Sequence, residues 1–174
     1  VLVSTCADKV DMPIPFGFKL MTILARIPWF VTRFRQKAAS DLVAAAQRSI
    51  RDPEILKRTI NDAETWPIFS TMLLSTYDRM GQRLVGTEND IRITRTATYP
   101  LEKLNVPVLV VHGTDDPLVN YAKHAKLYEQ RVPNAELLTV EGGEHVAIFS
   151  HRALVRAKVI PFMQQHFVSE KQAA

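Results

Sequence analysis

The sequence predicts an α/β fold: three parallel strands with flanking helices, and a long helical insertion after the first strand. Three observations predict it. The run "VPVLVVHG" (106–113) is continuously apolar, as expected of a parallel strand covered on both faces. It is followed by "YAKHAKLYEQRV", with Tyr121, Ala125, Tyr128 and Val132 on one helical side, and then by the strand-like "AELLTVEGG", so that strand, helix and strand form a right-handed crossover unit. Residues 9 to about 98, by contrast, carry no strand pattern.

Taken in order, Val1 to Val3 read as a short buried strand ending at Ser4 and Thr5. The helical insertion is broken by Pro13, Pro15, Pro28, Pro53 and Pro67. Its clearest helix start is "RDPEILKRTIND", where Asp52 can cap free amides, Pro53 fits the first helical position, and Ile55, Leu56 and Ile60 make an apolar face. "TWPIFSTMLLSTYDRM" supplies a further apolar-rich helix. After the crossover unit, "ALVRAKVIPFMQQHF" places Val155, Val159, Phe162 and Met163 at helical spacing, with Pro161 expected to kink the helix. The end, "SEKQAA", reads as frayed. The resulting organisation is 1–8 as first strand and loop, 9–99 as helical insertion, and 100–174 as α/β core.

The 174 residues are enough for one real core, and 47% hydrophobic with 23% charged residues is the composition of a globular protein in water. The net charge of +4 comes from basic residues interleaved with acidic ones, which argues against a nucleic-acid surface. The lone cysteine, Cys6, excludes an internal disulfide framework and suits a reducing compartment, so the cytoplasm is the expected location. The apolar stretch 12–31 has the length of a membrane span but contains Lys19, Arg26 and three prolines, so no stable span is expected. The chain opens inside a strand without an initiator Met or a charged leader, so a segment taken from the middle of a longer protein is expected.

In open parallel sheets, functional residues gather where the carboxyl ends of strands meet their loops. Three loops qualify: "STCAD", "GTDDPLVN" and "EGGEHVAIF". The second offers Asp115 and Asp116, the third His145. A carboxylate and a histidine at one edge can form the orienting half of a nucleophilic triad. The acid would accept the imidazole Nδ1 proton, fix the tautomer and stabilise the imidazolium.

At this point "YPLEKLNVPVLVVHGTDDPLV" and "PNAELLTVEGGEHVAIFSHRALV" resemble the C-terminal part of the α/β-hydrolase superfamily, closely over about 100–167 and loosely over the helical region. The resemblance implies the last three strands of that sheet with a helical lid inserted before them. It maps the family's acid onto Asp116 and its histidine onto His145, leaving Asp115 as a turn residue. It implies a hydrolase acting on an ester-like or similar small apolar substrate, with no metal and no organic cofactor. One departure is small: Asn120 stands where the family often has proline. The larger one is that the family's nucleophile elbow, G-x-S-x-G or a variant with Asp or Cys, occurs nowhere in the 174 residues. The chain alone is therefore expected to be inactive, and its expected partner is the N-terminal half of such a hydrolase.

The remaining residues have plainer readings beside functional ones. Phe16, Phe18, Trp29, Phe30 and Phe34 fit either the core of the lid or the wall of an apolar substrate pocket. Arg33, Arg35 and Lys37 read as a solvated face, with membrane-surface docking as the lesser alternative. His112, His124, His151 and His166 lack metal-ligand spacing and read as structural or exposed. Cys6 is not on an elbow, and Asp8 is an alternative acid in some family members. A reading from another class is a non-catalytic module that pairs through the edge of its first strand, either with a second copy or with the missing half.

Overall fold

The computed structural model describes residues 1–10 and 16–167; the fraying expected at 169–174 lies outside them. Contacts divide the chain into two units, Val1–Asp8 with Thr98–Ala174, and Lys9–Ala97.

The first unit is an α/β layer structure. Strand β1 (Leu2–Val3) pairs in parallel with β2 (Val108–Gly113), and β2 pairs in parallel with β3 (Ala135–Val140), giving the order β1-β2-β3. Every residue of β2 is buried, because the central strand is covered by a neighbour on each side and by side chains on each face. The pleat divides it: Val108 and Val110 join Ala7, Leu101, Ala125, Tyr128 and Val132 in one cluster, while Leu109 and Val111 join Val140, Ala147, Val155 and Phe162 in the other.

The second unit is helical: α1 (Phe16–Leu24), α2 (Pro28–Ser40), α3 (Leu42–Ala46), α4 (Pro53–Asn61), α5 (Thr65–Ser75) and α6 (Met80–Thr94). Helix α4 starts as expected, with Asp52 Oδ1 accepting the amides of Glu54 and Ile55, each at 2.9 Å, and Pro53 in the first turn. Phe69 and Ile50 are the largest side chains fully buried in this unit. The stretch read as one helix to Met80 stops at Ser75. Ser75 and Thr76 turn their hydroxyls back to the carbonyls of Met72 and Leu73, and Arg79 takes a left-handed φ of 52° before α6 begins.

In the α/β unit, a 3-10 turn at Leu101–Lys103 precedes β2, and α7 (Tyr121–Arg131) crosses from β2 to β3. Asn120, the departure from the family's proline, is the cap of α7: its Oδ1 accepts the amide of Lys123 at 2.9 Å. A short α8 (Ala147–Ser150) and the long α9 (Arg152–Phe167) follow β3. Helix α9 runs on through Pro161. It buries Val155 and Phe162, whereas Met163, placed on the apolar face by its spacing, is exposed.

Leu109 is wholly buried between the sheet and α9. Leu109→Ala is expected to lower unfolding free energy by about 2–5 kcal/mol. Met163→Ala should change it by no more than about 0.5 kcal/mol. Urea denaturation of the two variants checks the pair, and equal losses would contradict this core assignment.

Candidate active site

Two loops leave the carboxyl edge of the sheet side by side, and their backbones hold each other. At the end of β2, Gly113 is so close to the loop after β3 that a side-chain carbon there would collide with the Gly143 carbonyl and stand 3.0 Å from that of Glu144. Only glycine permits the approach. Gly142 turns the histidine loop with a left-handed φ of 66°. Three hydrogen bonds then tie the loops: Thr114 N to Val140 O (3.0 Å), Asp115 N to Gly143 O (3.0 Å) and Gly142 N to Thr114 Oγ1 (2.9 Å).

This fastening sets the acid beside the base. His145 Nδ1 lies 2.9 Å from Asp116 Oδ2. The other carboxylate oxygen, Oδ1, accepts the amides of Leu118 at 2.8 Å and Val119 at 2.9 Å. The Asp116 side chain is fully buried, while that of His145 is 39% exposed. Burial alone would raise the Asp116 pKa, but hydrogen bonds from His112, His145 and the Val119 and Leu118 amides overcome it and hold the carboxyl well below its ordinary range. An ionised carboxylate can only accept, so Nδ1 of His145 carries a proton, and in the neutral ring Nε2 then keeps its lone pair. Among the described residues no partner occupies that lone pair. The arrangement can take up a proton at Nε2 and stabilise the resulting imidazolium.

The neighbouring candidates fall into place around this pair. Asp115 is exposed and accepts the hydroxyl of Thr114 at 2.9 Å. The carboxylate on His145 is that of Asp116, not Asp8. Burial, with the charge of Asp116 adding to it and Lys123 opposing, pushes the Cys6 thiol up, away from the reactive thiolate form. Among the described residues no group of three or more metal-ligating side chains occurs, and no helix is long and apolar enough to cross a membrane.

Two of the four histidines read as structural or exposed are buried. His124 is buried and accepts the Ala7 amide at Nδ1, 3.3 Å away; burial, with Lys123 and His112 adding, lowers its pKa. His112, also buried, directs Nε2 to Val119 O at 2.8 Å and to Asp116 Oδ2 at 3.4 Å. The sequence held one clue to His112, its position four residues before Asp116 in the same strand exit.

The five aromatic candidates belong to the helical unit. Phe30 and Phe34 stack at 5.8 Å, Trp29 meets Phe30 edge-on at 6.2 Å, and Phe34 meets Tyr77 at 5.5 Å. Phe30 and Phe34 line a surface groove of about 380 Å³ with Arg33, Gln36, Lys37 and Ser40. Phe18 is half-buried, whereas Phe16 and Trp29 are 80% and 70% exposed and so are not core of this unit.

The alpha/beta hydrolase fold family profile matches residues 1–152. The chain belongs to the α/β-hydrolase family. Among curated relatives, this hydrolase-fold chain is 36% identical over 67 residues to a non-heme chloroperoxidase of Streptomyces lividans, a stretch that covers 38% of the chain and 24% of that protein. Its fold is similar to that of an alpha/beta hydrolase fold protein from Nakamurella multipartita, with a TM-score of 0.64 and 18% identity over 89% of this chain and 57% of the other. It is likewise similar to a thermophilic esterase from Thermogutta terrifontis, with a TM-score of 0.59 and 14% identity over 95% and 55% of the two chains. The hydrolase-fold chain thus spans a quarter of the curated relative and a little over half of these two solved structures.

Because the Asp116 pKa is lowered on folding, the carboxylate stabilises the fold above the ordinary carboxyl value of 3.8, and that contribution is lost as pH falls below it. Asp116→Asn lacks this dependence. The stability gap between the two proteins is expected to be largest near neutral pH and to narrow on acidification below about pH 4. Urea unfolding across that range measures it, and a constant gap would contradict the charged, hydrogen-bonded state.

Proposed function

We propose that the chain supplies the acid and base of a hydrolase active site for an ester-like or similar small apolar substrate, working with a nucleophile outside these 174 residues. The observation that carries this reading is the hydrogen bond between His145 Nδ1 and Asp116 Oδ2, with Nε2 left without a partner among the described residues. In the reaction, His145 Nε2 removes the proton of the nucleophile as it attacks the carbonyl carbon. Asp116 holds the imidazole in the right tautomer and balances its positive charge. The same nitrogen returns the proton to the leaving alkoxide, and the cycle repeats with water to release the acid. For the apolar part of the substrate we assign Phe16, Phe18, Trp29, Phe30 and Phe34 of the helical unit. The ring series Phe30, Phe34 and Tyr77 supports an apolar contact surface there.

The test uses the full-length gene product on an activated ester such as p-nitrophenyl acetate. His145→Ala is expected to lower kcat by roughly 10⁴-fold with the fold intact. Near-normal turnover by the folded variant would sink the reading.

A second reading is favoured by β1, which has two residues and pairs with β2 on one side, the other side having no strand partner among the described residues. Such an edge offers its backbone groups to another strand, whether from a second copy or from the N-terminal part of a hydrolase. The 174-residue chain, acting as a non-catalytic module, would then dimerise. Size-exclusion chromatography with light scattering distinguishes the cases, and a clean monomer counts against pairing between copies.

A further inference from the structure

The Asp116 carboxylate is served by more than one imidazole, and the second is not accounted for by triad chemistry. His112 lies inside β2, with no exposed surface, four residues before Asp116. A carbonyl oxygen can only accept, so its 2.8 Å contact with Val119 O fixes the proton on His112 Nε2. That same N–H stands 3.4 Å from Asp116 Oδ2. Val119 meanwhile donates its own amide to Asp116 Oδ1 at 2.9 Å. The three residues therefore close a ring: His112 holds the Val119 carbonyl, the Val119 amide holds one carboxylate oxygen, and His112 leans on the other. Nδ1 of His112 has no partner among the described residues, so the ring nitrogen that works is Nε2 alone. The Tyr121 ring stands edge-on at 6.0 Å with an interplanar angle of 75°, and its hydroxyl is anchored on Thr139 Oγ1 at 2.6 Å.

We propose that His112 is a positioning residue: its Nε2–H, shared between Val119 O and Asp116 Oδ2, fixes the rotation of the carboxylate so that Oδ2 keeps facing His145. The proposal rests on the catalytic reading of Asp116 and His145 given above. Without the His112 donor, Oδ1 still rests on the Leu118 and Val119 amides, but Oδ2 is left with His145 as its one partner among the described residues, so one restraint on the rotation of the carboxylate is lost. A buried polar group placed to hold a reacting group's partner acts through geometry, so its loss falls on turnover more than on substrate binding.

The experiment compares His112→Gln, whose amide nitrogen reaches the position of Nε2, with His112→Leu, which fills space but has no donor, in the full-length gene product. For the Leu variant we expect kcat on p-nitrophenyl acetate to fall by about 10-fold to 100-fold with KM within about twofold, and for the Gln variant most of the turnover to return. Unchanged kcat in the Leu variant, or equal losses in both with matching thermal midpoints, would overturn the proposal and leave His112 as packing. Should the Leu variant not fold, His112→Asn takes its place: its shorter amide cannot reach the Nε2 position, so Gln must outperform Asn, and equal turnover overturns the proposal. His145→Ala in parallel separates the two failures. A dead His145→Ala with a fully active His112→Leu defeats only the role of His112, whereas an active His145→Ala defeats the reading beneath it.

Discussion

The missing side chain at Gly113 lets the end of β2 touch the loop that follows β3, and the rest of the site depends on that contact. With Gly143 O accepting the Asp115 amide, Val140 O accepting that of Thr114 and Thr114 Oγ1 accepting that of Gly142, the acid loop is fastened to the histidine loop largely through backbone. Side-chain placement follows. Asp116 emerges buried, its Oδ1 turned back onto the Leu118 and Val119 amides and its Oδ2 toward His145. A bond of 2.9 Å between residues 29 apart in sequence is thus set by main-chain hydrogen bonds, which are shorter in reach and stiffer than side-chain packing.

The α/β unit was largely legible in the sequence because its signals were redundant. "VPVLVVHG" is apolar at every position a doubly covered strand needs, and Gly113, Asp116, Gly142, Gly143 and His145 occur in an order that only one kind of sheet edge explains. The Asp52 cap was legible for the same reason, since aspartate followed by proline and an apolar pattern points one way. What was not legible is decided by competition between neighbours. Nothing in "TWPIFSTMLLSTYDRM" announces that Ser75 and Thr76 turn back on their own carbonyls and that Arg79 takes a left-handed turn. Met163 has the spacing of Phe162's face but not its partners.

The histidines show the same limit. Spacing bears on metal ligation and says nothing of how deep a ring sits. Nor could it tell that His112, inside an apolar strand, needs an acceptor for its ring N–H and finds the nearer one across the turn at Val119. A buried polar group obliges the chain to build a partner for it, and here that partner belongs to the loop bearing Asp116. Asn120 is a comparable case: a small departure from the family pattern in sequence is, in the fold, the cap that starts α7.

The acceptors of Asp116 are all engaged within the chain, by two main-chain amides and two imidazoles, and its side chain has no exposed surface. Among the described residues, the half-exposed ring of His145 stands between this interior charge and the outside, so a molecule seated against that ring lies one imidazole away from a buried carboxylate and meets its field with little water between.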